Sequence, residues 1–187
     1  PFGETYADAK SFVLAAEQAE VALAINHELG FMKDITLMHE AHAAGAIGKI
    51  RYIAHDQFQN RTRVRGWRSQ ETRLEISIFS IHLIDRIRQI ADSPPKSVTG
   101  VSRKWNPDVK GETCTSLTVQ FESGSVGTMD SSWHALTMPE NRFRVDGTKG
   151  SMLSVKRAVV ADEAPLRIET LDGNIEQHDC SEDHAFT

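Results

Sequence analysis

The chain has 187 residues, of which 40% are hydrophobic and 25% are charged, and its formal net charge at pH 7 is −5. This composition is typical of a globular domain with a core of its own, and the acidic balance argues against a general nucleic-acid-binding protein. No apolar run approaches the ~20 residues that a membrane helix needs, and the two cysteines cannot form a disulfide framework. We therefore expect a cytoplasmic protein with no nucleic-acid or membrane partner.

The first segment of the chain has the pattern of a helix followed by a buried strand. Apolar residues at three- and four-residue spacing predict a helix over 5–19, with Thr5 as the N-cap and Asp8 completing a capping box. The apolar run Val21–Ile25 predicts a strand buried on both faces, as in a parallel sheet. Because one strand cannot form a sheet, and the chain begins at Pro1 without Met, we interpret this unit as the end of a preceding domain.

The remainder of the sequence predicts helices followed by a run of strands. Helices are expected over 32–44 and 75–91, with a strand over 49–59 and an arginine-rich loop over 60–73 between them. After Pro95 the hydrophobic period changes from that of a helix to that of a strand, which predicts strands over 113–122, 126–133, 142–146, 152–160 and 165–171. This order indicates an α+β fold, with a largely antiparallel open sheet and helices on one face.

The predicted helix over 75–91 carries a polar stripe beside its apolar face. Glu75 and His82 are seven residues apart, which places them two turns apart along one line of an ideal helix. A carboxylate beside an imidazole would raise the pKa of the imidazole and orient it for proton transfer near neutral pH. A solvated polar face is the commoner meaning of such a stripe, but Ile78 within it indicates that this face is partly covered.

The dipeptide Trp67-Arg68 is a second candidate site, because Arg offers a planar fork to an anion or hydroxyl and Trp offers a stacking surface. The alternative is a loop anchored by one buried Trp. Two further clusters, His39-x-x-His42 and the group of His178, Cys180 and His184, show no clear ligand set, so no metal site is predicted. No glycine-rich phosphate-binding motif is present in the sequence.

Several motifs, in order, carry a resemblance to a known family. They are Ala24-Ile25-Asn26, the Gly45–Ile50 turn, Gly66-Trp67-Arg68, Ile81–Asp85 with His82 inside it, Phe121–Gly124, Ser131–Trp133 and the glycine-rich turn Val145–Ser151. Together they resemble the oxidoreductases grouped with glucose–fructose oxidoreductase and inositol dehydrogenase, the Gfo/Idh/MocA family.

The resemblance implies a two-domain enzyme that transfers hydride between NAD or NADP and a hydroxyl-bearing carbon of a sugar, polyol or related small molecule. Residues 1–29 would then be the remnant of a Rossmann dinucleotide-binding domain, and residues 30–187 the substrate-binding and oligomerisation domain. Most of the cofactor site would lie outside this chain, so the chain alone is expected to be inactive.

The resemblance also implies roles for individual residues. His82 corresponds to the catalytic His, and Ile78 occupies the position of the usual Asp. Helix geometry, and not the resemblance, offers Glu75, about one turn earlier, as the carboxylate that would replace it. The expected substrate-binding residues are Trp67, Arg68, Asp85 and His55, and Asn26 is expected to contact the cofactor. Ile78 leaves open a non-catalytic member that serves as a binding or assembly module.

One face of the predicted strands favours self-association. Its residues are uncharged and polar, and the helices can cover only the opposite face of the sheet; they are Cys114, Ser116, Thr118 and Gln120. A broad sheet face without charge suits a partner better than solvent, so a homodimer or higher homo-oligomer is expected.

Overall fold

A computed structural model describes residues 2–157 and 165–180 as one sheet with helices packed on one of its faces. The helices are α1 (Tyr6–Gln18), α2 (Lys33–Ala43) and α3 (Ile81–Ala91). The strands are β1 (Ile50–Phe58), β2 (Pro95–Arg103), β3 (Cys114–Phe121), β4 (Val126–Ser132), β5 (Glu140–Gly147), β6 (Gly150–Lys156), β7 (Leu166–Thr170) and β8 (Ile175–His178). The predicted α+β class is confirmed.

The sheet has eight strands in the order β2-β3-β4-β1-β5-β6-β7-β8. The first strand in the chain therefore lies inside the sheet, where β1 pairs parallel with β4 and antiparallel with β5. Every other neighbouring pair in the described ranges is antiparallel. The sheet is thus largely antiparallel and open, as its alternating sequence pattern predicts.

The core lies between the inner face of the sheet and helices α2 and α3. Leu83, Ile87 and Ile90 of α3 are fully buried, and they recur at the three- and four-residue spacing that puts them on one helix face. Gly127 of β4 permits the close approach of this helix, since a Cβ there would lie 2.7 Å from Ile87 Cγ2. The helix ends at Ala91. Its C-cap, Asp92, has a left-handed φ of 44° and stands two residues before the Pro94-Pro95 pair, which would interrupt a helix.

A buried ion pair joins α2 to the sheet. Lys156 Nζ of β6 lies 3.2 Å from Asp34 Oδ1, and Ser154 donates a hydrogen bond of 2.7 Å to Asp34 Oδ2. Both charged side chains are almost fully removed from solvent. Removing one partner would leave an uncompensated buried charge, so breaking this contact should destabilise the packing of α2 on the sheet.

The predicted helix over 75–91 is confirmed in extent, but its first part is a π turn. Residues Ile76–Ser80 form this turn, and regular α-helix begins at Ile81. A π turn holds one more residue than an α turn, so it rotates the rest of the helix by about 100° relative to a continuous α-helix. The side chains of α3 therefore point in directions that a straight helix starting at Glu75 would not give them.

In the N-terminal segment the predicted helix is present and the predicted strand is not. Thr5 caps α1 through reciprocal hydrogen bonds with Asp8, and no residue of α1 is buried. The predicted strand over Val21–Ile25 is wrong, because this run is irregular and exposed in the structure. A strand needs neighbours for its hydrogen bonds, and this segment is not part of the eight-stranded sheet.

Two strands were not predicted from the sequence. All residues of the edge strand β2 are exposed, so it lacks the alternation of apolar and polar residues that marks the inner strands. The short strand β8 follows the turn at Gly173, whose φ is 86°. Of the strand predicted over 152–160, residues 158–160 lie outside the described residues. Among the helices of the described part, none is long and apolar enough to cross a membrane.

Candidate active site

An open cleft of about 970 Å³ lies between the loop after β1, the π turn and the start of α3. Its floor includes Phe79 and the buried ring of Trp133. His82 and Ile78 line it from the helix side, and four arginines line it from the loop: Arg61, Arg63, Arg65 and Arg68. Of the predicted site residues, His82 and Arg68 therefore meet in one cavity.

His82 presents a half-buried imidazole to this cleft. Its ring packs edge-on against His27, with the ring centroids 5.3 Å apart, and its Nδ1 is buried without a hydrogen-bond partner among the described residues. Burial lowers the pKa of His82 below its usual value of 6.5, although the nearby Glu28 carboxylate opposes this shift. The imidazole is therefore neutral at pH 7 and able to accept a proton.

The structure does not bring Glu75 and His82 together as predicted. Glu75 is fully buried, and its Oε1 accepts hydrogen bonds from Ser131 Oγ, at 2.6 Å, and from Ser80 Oγ. Ser80 follows Glu75 by five residues in the chain, so the hydrogen bond between these two side chains spans the π turn. The turn rotates His82 away from the line that the two residues would share in a straight helix.

The surroundings of Glu75 are not those of an ionised carboxylate that would raise the pKa of a neighbouring His. Burial raises the pKa of Glu75, while hydrogen bonds from Ser131 and Ser80 oppose the shift. The residue stabilises the π turn against β4, and it does not line the cleft. The expected increase in the His82 pKa is wrong, because burial, and not a carboxylate partner, dominates at that ring.

Asp85 faces His27 instead of the cleft. Its carboxylate accepts hydrogen bonds from Gln89, at 2.7 Å, and Arg88, at 3.1 Å, and lies 3.9 Å from His27 Nδ1. His27 thus lies close to both Asp85 and the His82 ring. Sequence reasoning missed His27, which follows the failed strand prediction. Asn26, the predicted cofactor contact, is the exposed residue directly before it.

His55 lies in the core and not in the cleft, contrary to the prediction that it binds substrate. It is 0% exposed, its ring packs on Phe143 with centroids 4.7 Å apart, and Asn141 lies 3.4 Å from its Nε2. Burial lowers the pKa of His55 well below its usual value. The alternation of β1 explains this position, because His55 points to the same inner face as Ile53 and Gln57.

Trp67 and Arg68 lie in the short 3₁₀ turn Gly66–Gln70. The Arg68 guanidinium carbon is 5.3 Å from the centre of the Trp67 ring, and Arg68 lines the cleft. Trp67 is 63% exposed, so the alternative of a buried anchoring Trp is wrong for this residue. The buried Trp of the site is Trp133, at 4% exposure.

In the described ranges, no three His, Cys, Asp or Glu side chains are grouped so that they could hold a metal ion. His178 lies 3.4 Å from Glu176, and Cys180 is a buried free thiol. His184, the third member of that predicted cluster, lies outside the described residues.

Comparison with known proteins shows the family. The GFO/IDH/MocA C-terminal domain matches residues 35–153, which is more than half of the chain. The chain belongs to the GFO/IDH/MocA family. The match covers α3, all of α2 except its first two residues, and the whole cleft-lining loop.

Relatives of this GFO/IDH/MocA chain include sugar oxidoreductases. It is 24% identical to the D-apiose dehydrogenase of Rhizobium rhizogenes, in a match over 81% of this chain and 46% of that protein. It is 28% identical to the 1,5-anhydro-D-fructose reductase of Ensifer adhaerens, over 82% of this chain and 47% of that protein. The chain therefore spans about half the length of the curated relatives it matches.

Solved structures of the same fold support the architecture. An oxidoreductase from Agrobacterium radiobacter, in complex with NAD+, L-tartaric acid and magnesium, superposes with a TM-score of 0.81 at 23% identity, over 97% of this chain and 52% of that one. An inositol dehydrogenase homologue from Azotobacter vinelandii, with NADH and myo-inositol, gives a TM-score of 0.77 at 14% identity, over 94% and 47% of the two chains.

Proposed function

We propose that the chain is the substrate-binding part of an NAD(P)-dependent oxidoreductase, which acts on a hydroxyl or carbonyl carbon of a sugar, polyol or related small molecule. The observation that carries this proposal is the half-buried His82 imidazole at the wall of the open cleft, in the same cavity as Arg68. Relatives that are named as dehydrogenases and reductases of sugars support it.

His82 would take the proton when the substrate is oxidised. NAD or NADP, when bound, would accept the hydride of the reacting carbon, and the imidazole would accept the proton of the substrate hydroxyl. In the reduction the imidazolium would return that proton. The edge-on contact with His27 would orient the ring, and the Asp85 carboxylate lies 3.9 Å from His27 Nδ1. Arg68 would hold a substrate hydroxyl or anionic group in the same cavity.

The cofactor in this proposal is NAD or NADP, which supplies or accepts the hydride. Residues 1–29 would be the end of the domain that holds it, and residues 30–187 the substrate domain. Two features support this division: α1 buries none of its side chains, and Val21, Leu23 and Ile25 are exposed in the segment that follows. Asn26 would contact the cofactor, since its neighbour His27 touches His82.

The proposed enzyme is a cytoplasmic homo-oligomer. Cys114 and Cys180 are free thiols, which suits a reducing compartment. The outer face of β3 carries only uncharged polar side chains over its length, and it is the surface through which we propose that copies associate. Further along the sheet this face bears the ion pair of Asp56 and Arg142.

A second function, binding or assembly without catalysis, rests on Ile78. This apolar side chain lines the cleft four residues before His82, where the resemblance implies a carboxylate. A member of the family without that carboxylate would keep the cleft and lose its proton relay.

The test is turnover by the complete protein that contains this chain. A panel of sugars and polyols is supplied with NAD+ or NADP+, and the absorbance of the reduced nicotinamide is followed. We expect reduction with at least one polyol or sugar, and no tight binding of NADH or NADPH by the 187-residue chain alone. Micromolar dinucleotide binding by that chain would contradict the proposed division, and no turnover on the panel would favour the non-catalytic function.

A further inference from the structure

The loop over residues 61–68, called here the arginine loop, concentrates positive charge on one wall of the cleft. Its four arginines all line the cavity, and Glu28 is the one carboxylate among the lining residues of the described chain. The chain as a whole has a net charge of −5. The positive wall is therefore a local feature of the cleft and does not reflect the overall composition.

The backbone holds the arginine loop in place against the rest of the domain. The Arg61 N–H donates a hydrogen bond of 2.9 Å to the Trp133 carbonyl, and the Asn106 side chain donates one of 2.8 Å to the Thr62 carbonyl. Beyond the loop, the Lys110 N–H donates to the Ser69 carbonyl at 3.0 Å. The arginines thus extend from a segment whose backbone is anchored at both ends, so the cost of ordering on ligand binding falls mainly on their side chains.

The four guanidinium groups have no carboxylate partners in the described part of the chain, since none of them takes part in a salt bridge there. Arg61 lies over Phe79, with its guanidinium carbon 4.5 Å from the centre of that ring. Burial lowers the pKa of the Arg61 guanidinium, and the like charge of Arg68 lowers it further. A negative charge bound at this wall would relieve the repulsion between them.

We propose that the cleft selects an anionic substrate, a sugar-like molecule with a carboxylate or phosphate that the arginine loop binds while the reacting carbon lies at His82. This inference rests on the proposed function, because it names the class of substrate for the same cavity. Arg forms paired, charge-assisted hydrogen bonds with both kinds of anion. Binding the non-reacting end at the loop fixes the orientation of the reacting end.

The experiment compares matched charged and neutral ligands by titration calorimetry on the complete protein with saturating NADH, at low salt. The probes are D-glucuronate and D-glucose 6-phosphate against D-glucose, with inorganic phosphate as a probe that has no stereochemistry to mismatch. We expect each charged sugar to bind at least about tenfold more tightly than glucose, with an advantage that shrinks as salt is added. Equal binding of the charged and neutral sugars, or no binding of any anion, overturns the proposal.

Variants assign the effect to the loop. In the double variant Arg63→Gln, Arg65→Gln, whose side chains are exposed, the affinity for the charged sugars should fall about tenfold while that for glucose changes less than twofold. Arg51→Gln, an exposed arginine of β1 that does not line the cleft, is the matched control and should leave all affinities unchanged. An unchanged preference in the double variant overturns the proposal.

Cofactor titrations separate the two possible sources of the anion. If the arginine loop serves a phosphate of the dinucleotide, the double variant will weaken binding of NADH or NADPH and spare the charged sugars, which also overturns the proposal. Turnover of neutral polyols together with rejection of their acids would overturn the anionic class alone. The proposed oxidoreductase function would survive that result.

Discussion

The neutral imidazole of His82 is the residue on which the proposed chemistry depends. Its half-buried position lowers its pKa, and the contact with His27 holds its ring at the cleft wall. It lies beside the fully buried Leu83 and is not part of the α3 core face, so its removal should spare the fold.

We expect His82→Ala, in the complete protein, to lower kcat by ~10²–10⁴-fold on a demonstrated substrate. In the wild type, oxidation should lose its base as pH falls below 6.5, since the lowered pKa places the acid limb of the profile there. Steady-state kinetics measures both the fall in kcat and the pH profile, and circular dichroism checks that the variant is folded. His178→Ala on β8 is the matched control. Unchanged turnover in a folded His82→Ala protein would remove this residue from the mechanism.

The burial of Glu75 leads us to expect that the free energy of unfolding depends on pH through this residue. Its folded-state pKa is raised above the ordinary 4.5 by burial, so the folded state holds the proton more tightly than the unfolded state does. The contribution of Glu75 is therefore fully present below pH 4.5 and is lost as pH rises through the folded-state pKa. The variant Glu75→Gln has no titratable group at this position, so it should not lose stability through this residue as pH rises.

Urea unfolding of wild type and Glu75→Gln, from below pH 4.5 to neutral pH, checks this sign. The wild-type protein should lose stability relative to the variant as pH rises. Glu75→Ala should cost about 1–3 kcal/mol, because it leaves the Ser80 and Ser131 hydroxyls without their acceptor. Glu122→Gln, in an exposed turn, is the control and should show no such trend. A difference that does not vary with pH would contradict the assignment.

Among the elements, the contact of α3 with β4 sets how closely this helix packs on the sheet. Gly127 makes it possible, since a Cβ at that position would also come within 3.2 Å of the Phe121 ring. Core positions this tightly packed tolerate added atoms poorly.

Gly127→Ala should therefore destabilise the domain by about 1–3 kcal/mol, measured by urea unfolding. The cost should fall in the background of Ile87→Ala, which removes the Cγ2 atom that the new methyl group meets. Ser116→Ala, on the outer face of β3, is the control and should have little effect. If Gly127→Ala lowers the free energy of unfolding equally in both backgrounds, the close approach of Ile87 is not the reason that a glycine is needed at this position.

At the scale of the whole molecule, the uncovered face of β3 and β4 is where we propose that copies meet. Thr118 and Thr128 are cross-strand neighbours on that face, and the helices pack against the opposite one. A charge placed there would have to be desolvated in a homo-oligomer.

Thr118→Arg should lower the mass measured by sedimentation equilibrium toward that of a monomer, without loss of helical circular dichroism. Leu171→Arg, at an exposed position after β7, carries the same new charge and should leave the mass unchanged. If sedimentation equilibrium shows a monomeric wild-type protein at every concentration, the proposed interface is wrong and no variant is needed.

Local periodicity determined much of the fold. The spacing of Leu83, Ile87 and Ile90 predicted α3, and the alternation in β3 predicted its buried face, because both patterns reflect the geometry of a single element. The motif around His82 also indicated the cleft helix. These signals need no knowledge of which segments later become neighbours.

Only the tertiary structure decided where the site residues point. Glu75 is hydrogen-bonded to Ser131, 56 residues away in the chain, and this contact accompanies the π turn that rotates His82 from the predicted line. Likewise, His55 lies in the core because β1 is an inner strand, and β4 and β5, which flank it, follow much later in the chain. Orientation toward a cleft depends on such long-range contacts, which a periodic pattern within one segment does not encode.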